Sequence, residues 1–228
     1  MDTFSAPIEK ASTSTLTKVF GWMCGGLLVS ALTAYWVAGT PRVMDAIIGN
    51  QAVFLGLIIL ELILVVSLSW LIRRISAGAA TALFVAYAIV NGLTLSIIVL
   101  AYTDASLSFT FFTTAGMFGA MALYGYLTKR DLSGFGAFFT MAIFGIIIAS
   151  LVNIFIANSA LNLVISIVGV LLFTGLTAYD VQKIKNMELV ATDDASRSKL
   201  AIFGALMLYL DFINIFLSLL RLTGRKRN

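Results

Sequence analysis

Residues Val53 to Ile72 read VFLGLIILELILVVSLSWLI: a single charge, no proline and no alternation of apolar with polar residues. A helix crossing the hydrocarbon of a bilayer needs about 20 mostly apolar residues, and an unbroken apolar run lacks the period-two pattern of a membrane β-strand. The stretch therefore reads as a transmembrane helix. Further runs of the same kind lie on both sides: Val19 to Val37, Ala79 to Tyr102, Thr110 to Leu127, Phe135 to Ile156, Leu161 to Tyr179 and Leu200 to Leu220. Within lipid every backbone polar group must be satisfied internally, which favours helices for all seven. The expected fold class is all-α, a polytopic membrane protein with short connections. A polar, Ser/Thr-rich tail over 1–18, expected to be disordered, precedes the transmembrane domain at 19–222, and a basic tail at 223–228 follows it.

The whole composition agrees. Of 228 residues, 60% are hydrophobic and 11% charged, against roughly 45–50% and about 25% in soluble domains, which excludes a water-soluble enzyme. The chain has no histidine, so Ser-His hydrolysis, His-ligated haem, most zinc sites and histidine-based pH sensing lose their usual group. Cys24 is the one cysteine, so there is no intrachain disulfide. The formal charge of +4 does not point to nucleic acid, because the basic residues sit beside apolar runs, where they anchor and orient a membrane protein. Lipid is the expected partner, and no cofactor is called for. Gly21 with Gly25 and Gly116 with Ala120 read as close-packing positions between helices. Trp22, Trp36, Trp70, Tyr102, Tyr126 and Tyr179 lie near run ends, as an interfacial belt requires.

Charge asymmetry sets the orientation. With a cytoplasmic N-terminus, the inner connections hold Lys10, Lys18, Arg73, Arg74, Lys129, Arg130, Lys183, Lys185, Arg197 and Lys199, and the outer loops hold only Arg42. Seven full crossings then put Arg221, Arg225, Lys226 and Arg227 outside. Either the last run is re-entrant or the earlier helices dictate topology. Leu200 to Leu220 is long enough to span and has no central Pro, so seven crossings are expected. The segment from Val181 to Lys199 has the mixed charges of a solvated loop.

Three acids lie in or at the edge of the runs: Glu61 midway along the second, Asp180 at the end of the sixth and Asp211 midway along the seventh. A carboxylate at mid-bilayer costs roughly 2.5–3.5 kcal/mol even on lenient scales and normally faces a partner inside the bundle. No Lys or Arg sits at matching depth. Protons, amides, one another or a cation must therefore neutralise these acids. Asn214 and Ser218 follow Asp211 at helical spacing, a polar stripe that either lines a path or makes packing hydrogen bonds. Asp180 either pairs with Lys183 at i+3 or points towards Asp211. Should the two aspartates meet, a shared proton relieves their repulsion and the titration belongs to the pair; unprotonated, they offer hard oxygens suited to Ca²⁺. Glu61 either adds an oxygen or pairs with Arg73 or Arg74.

At these same residues the chain resembles a known family. Leu123-Tyr-Gly-Tyr-Leu-Thr-Lys-Arg-Asp-Leu-Ser133, Thr177-Ala-Tyr-Asp-Val-Gln-Lys-Ile-Lys185 and Leu208-Tyr-Leu-Asp-Phe-Ile-Asn-Ile-Phe216 are similar to the signature segments of the bacterial branch of the Bax inhibitor-1 family. The resemblance implies seven helices with the last surrounded by the other six. It also implies a pH-sensitive cation leak, mainly of Ca²⁺, gated by an aspartate pair that falls on Asp180 and Asp211. The family's basic end of the second helix falls on Arg73 or Arg74. Two rivals stand beside this reading. A regulatory protein acting on other membrane machinery, such as a membrane protease, would depend on the N-terminal tail or the segment from Val181 to Lys199. An intramembrane aspartyl protease would need a Gly-x-Gly before its second aspartate and a later Pro-Ala-Leu. Here Leu208-Tyr-Leu precedes Asp211 and no Pro follows Pro41.

Overall fold

In a computed structural model, which describes residues 5–72, 74–191 and 193–227 and side chains from Thr15 onward, the chain is all-α. In order come α1 (Ser5–Ala38), α2 (Pro41–Ile48), α3 (Gln51–Leu71), α4 (Ala77–Ala101) and α5 (Asp104–Leu127). A 3-10 turn (Ser133–Phe135) then leads into α6 (Gly136–Ile156), followed by α7 (Ser159–Leu189) and α8 (Asp194–Thr223). Among the described residues, seven helices are long and apolar enough to cross a membrane, and α2 is the one that is not. Helix α6 has no fully buried residue, leaving side chains such as Phe155 and Ile154 exposed. In lipid such a surface faces hydrocarbon and carries no aggregation cost.

Polar residues at the run ends set the starts. Asn50 Oδ1 accepts a hydrogen bond from the Ala52 N–H (3.0 Å) at the start of α3, and Ser76 Oγ accepts from Ala79 (3.2 Å) at the start of α4. Between α6 and α7 the backbone turns at Ala157, which takes a left-handed conformation (φ 51°). Asn158 Oδ1 then accepts from Leu161 (3.0 Å) and starts α7.

Three segments differ from the sequence expectation. Helix α1 begins at Ser5, so most of the tail expected over 1–18 is helical. Pro7 falls in the first turn, where its missing N–H has no partner to lose, and no Gly or Pro follows before Gly21. Helix α2 was not anticipated; Pro41 starts it, and Met44 and Ile47 pack with Val37. The segment from Val181 to Lys199 is mostly helix, since α7 runs to Leu189 and α8 starts at Asp194. Mixed charges let a helix continue beyond lipid into water; they do not break it. Asp193 Oδ2 accepts from the Ser196 N–H (3.4 Å) at this start, and the Ser196 bonds hold the exposed Asp193 carboxyl below the usual carboxylate range.

The chain divides into two compact units: Met1–Tyr102 with Asn186–Tyr209 and Arg227–Asn228, and Thr103–Lys185 with Leu210–Lys226. In the first, α1 and α4 approach closely at Gly92, where a Cβ would lie 2.6 Å from Thr33 Cβ and 2.7 Å from the Ser30 carbonyl oxygen. In the second, α5 meets α7 where Gly125 abuts the Ala178 backbone, and α7 meets α8 where Gly169 abuts Ser218. Phe212 of α8 packs edge-on between Phe111 and Phe118 of α5, at 5.5 and 5.6 Å.

The second unit also bears on the last crossing. The end of α7 is tied to the α5–α6 connection: Gln182 Oε1 accepts from the Leu132 N–H (2.8 Å), and Gln182 Nε2 donates to the Arg130 carbonyl (2.8 Å). The far end of α8 is tied to the start of α5: the Arg225 N–H donates to Ser106 Oγ (2.9 Å), and the Thr103 N–H donates to the Arg225 carbonyl (3.1 Å). Helix α5 runs between these two levels. The seventh run therefore ends at the opposite end of α5 from the α5–α6 connection, as a full crossing requires, with the basic tail at the level of the α4–α5 connection. Helix α8 is the most buried of the spans.

Candidate functional site: an aspartate pair on the last two helices

Asp180 closes a stretch of α7 that is held from two sides. Its neighbour Ala178 takes the close approach of α5 at Gly125, and a Cβ on Gly136 of α6 would lie 2.7 Å from the Tyr179 hydroxyl. Tyr179 also packs on Phe139 (5.6 Å). One turn on, Lys185 Nζ donates to the Tyr126 carbonyl (3.2 Å) and sits 4.9 Å from the Tyr126 ring centroid. These contacts leave the Asp180 side chain with 7% residual exposure. Lys183 acts on its charge from i+3, yet the Lys183 ammonium lies over the Tyr179 ring at 5.7 Å, and no Asp180–Lys183 ion pair exists among the described residues. The i+3 pairing is thus a neighbouring charge without a contact bridge.

Asp211 is fixed by the residue after it. Seating Phe212 between Phe111 and Phe118 orients that turn of α8, and Asp211 is left 3% exposed, with Oδ2 buried and lacking a hydrogen-bond partner. Asp180 and Asp211 lie near enough for their charges to act on each other. The fold therefore brings together two buried carboxylates from α7 and α8. Among the described residues, no group of three or more acidic or cysteine side chains gathers into a metal cage. Further buried oxygens without a partner occur in the same unit, at Thr110 and Thr114 of α5 and Thr174 of α7. Thr114 sits between Phe111 and Phe118 in sequence, on the helix face that meets Phe212.

The remaining sequence candidates fall out differently. The Asn214 amide donates to the Leu210 carbonyl of its own helix (2.8 Å), and Ser218 is buried against Gly169. Glu61 is half-buried in the first unit and accepts from Thr94 Oγ1 (2.6 Å), with Asn91 as its second side-chain partner. Its partners among the described residues are a hydroxyl and an amide. Arg74 is exposed at the end of α3, and Arg73 lies outside the described residues.

Sequence reading passed over one cluster entirely. Ser30, Asn91 and Tyr209, from α1, α4 and α8, meet in the first unit: Tyr209 Oη lies 2.6 Å from Ser30 Oγ and 2.7 Å from Asn91 Oδ1. The available signal was a lone amide, Asn91, at the centre of the third apolar run. Glu188, buried at the end of α7 with both oxygens unpartnered, was also missed because its surroundings looked like a loop.

Comparison with known proteins gives the same outline. A family model described as inhibitor of apoptosis-promoting Bax1 matches residues 12–228. An inner membrane protein, YbhL, of Escherichia coli (strain K12) is 52% identical over 214 residues, covering 93% of this chain and 92% of the relative. A protein of Borreliella burgdorferi is 47% identical over 214 residues, with 93% and 92% covered. One of Deinococcus radiodurans is 42% identical over 213 residues, with 93% and 90% covered.

Proposed function

The chain belongs to the Bax inhibitor-1 family, as a multi-pass protein of the bacterial inner membrane, and we propose that it is a passive, pH-sensitive cation leak, mainly for Ca²⁺, gated by Asp180 and Asp211. One observation carries this reading: two carboxylates, buried from water on adjacent spans, act on each other's charge without a basic side chain in contact. In a low-dielectric site two bare carboxylates repel strongly. A single proton held between them relieves that repulsion. Without it, the pair is a strongly negative, hard-oxygen point that draws in a divalent cation and neutralises itself on the ion. Protonation and cation occupancy then compete, which is a pH-sensitive gate in chemical terms. The unpartnered hydroxyls of Thr110, Thr114 and Thr174 supply neutral oxygens that partly replace an ion's hydration, and a pore benefits from such weak, multiple sites.

The test is flux. Purified protein in liposomes loaded with a Ca²⁺ indicator is expected to show a leak whose rate changes with pH, and Asp180→Asn and Asp211→Asn are each expected to flatten that dependence. No leak from correctly folded protein, or a pH profile indifferent to both substitutions, overturns the reading. A regulatory role would then have to be sought in the segment around Glu188.

A further inference from the structure

Proton counting in the first unit exposes a second ionisable site, independent of the aspartate pair. Ser30 Oγ lies 2.6 Å from the Ala88 carbonyl and 2.6 Å from Tyr209 Oη. Tyr209 Oη lies 2.7 Å from the Asn91 amide. The Asn91 side chain is also a partner of the Glu61 carboxyl. Glu61 Oε1 lies 2.6 Å from Thr94 Oγ1, which lies 2.9 Å from the Asn91 carbonyl. Ser30 Oγ also lies 3.1 Å from the Gly26 carbonyl of its own helix. These are seven contacts, six in one line and one branching from it, and each needs one proton between its two heavy atoms.

With Glu61 ionised, the line holds four protons: one each from Ser30, Tyr209 and Thr94, and one from Asn91, whose amide presents N–H to one side and oxygen to the other. Turning the amide end for end, which swaps atoms of nearly identical shape, does not change that total. Three contacts would then have nothing between two oxygens, and at least one of them is a contact other than the two long ones within a single helix, Ser30 to Gly26 and Thr94 to Asn91. A proton on Glu61 supplies a fifth. With the Asn91 amide turned so that its N–H, in place of Oδ1, meets Tyr209, it also fixes the direction: Thr94 donates to Glu61, Glu61 to Asn91 Oδ1, Asn91 N–H to Tyr209, Tyr209 to Ser30, and Ser30 to the Ala88 carbonyl. The two contacts still without a proton each join a hydroxyl to a carbonyl of its own helix, Ser30 to Gly26 at 3.1 Å and Thr94 to Asn91 at 2.9 Å. We infer that Glu61 is a proton-binding site, and that its proton sets the direction of a hydrogen-bond chain through Asn91, Tyr209 and Ser30.

The surroundings agree. Glu61 is the only charged residue of α3. Helices α2 and α4 pack against α3; the charged residues of α2, Arg42 and Asp45, are exposed, and α4 offers only Tyr87, which feels the Glu61 charge, as does Tyr209 of α8. Among the described residues of these elements no cation holds the carboxylate, which lies midway along a membrane span, where an ion is costly.

The chain has three glutamates, Glu9, Glu61 and Glu188, so carboxyl-labelled glutamate gives three resonances in the full-length protein in nanodiscs. Glu61→Gln identifies one of them; should that variant fail to fold, Glu9→Gln and Glu188→Gln assign it by elimination. The Glu61 resonance is expected at the protonated position at neutral pH, unmoved by Asp180→Asn. Tyr209→Phe breaks the line, frees the Asn91 N–H to turn towards Glu61, and is expected to shift the resonance towards the carboxylate position. A carboxylate position in the unsubstituted protein, or no movement in Tyr209→Phe, overturns the inference whatever the flux assay gives.

Discussion

Gly125 holds α5 against the backbone of α7 two residues before Asp180, and a Cβ there would lie 2.8 Å from Ala178 Cα and also press on the Ala178 carbonyl. Backbone cannot swing aside as a side chain can, so the helices must part. Gly125→Ala is expected to destabilise by about 1–3 kcal/mol, read as a lower Tm in detergent, and to alter the pH profile of the flux because Asp180 moves with α7. The opposite sign is expected at Ala157, whose left-handed backbone costs an L-residue about 1 kcal/mol that glycine does not incur. Ala157→Gly should raise the Tm. At Asp193 the sign follows from linkage: a carboxyl held below its usual range by Ser196 stabilises the folded state above the unfolded titration and loses that effect as pH falls through the folded one. Asp193→Ala should speed amide exchange across the first turn of α8 at neutral pH, with the difference from the parent protein vanishing in acid.

At the level of elements, the clamp between α7 and the α5–α6 connection is the informative case. Gln182 makes both of its bonds to backbone, at Leu132 and Arg130, and each is worth about 1 kcal/mol. Gln182→Leu should therefore release the connection, raising amide exchange at Leu132 while leaving α6 protected. These bonds were invisible in the sequence, where the segment beyond Tyr179 looked like solvated loop. Its charges did mark the end of the lipid-facing surface; they did not mark the end of the helix. Helix α2 was hidden for a related reason, because eight residues between two long apolar runs carry too little periodicity to stand out, and only the packing of Met44 and Ile47 on Val37 reveals its buried face.

For the whole molecule, topology is the testable quantity. With the residues around Arg225 bound at the level of the α4–α5 connection, a cysteine added after Asn228 in a Cys24→Ser background should react with an impermeant thiol reagent from outside intact cells. One placed in the α5–α6 connection should react only after the membrane is opened. Reaction of both from the same side would contradict seven crossings.

The sequence by itself determined the class of the fold and the number and position of its spans, because apolar length measured against the thickness of a bilayer is a property of each run alone. It also singled out Asp180, Asp211 and Glu61, since a carboxylate in hydrocarbon is conspicuous without any knowledge of neighbours. What those acids meet was decided only in three dimensions. The nearness of Asp180 to Asp211, the seating of Phe212, the line from Glu61 through Tyr209 to Ser30 and the side reached by the C-terminus all depend on how helices distant in sequence are placed against one another, and that placement rests on glycine approaches and hydrogen bonds that no single run encodes.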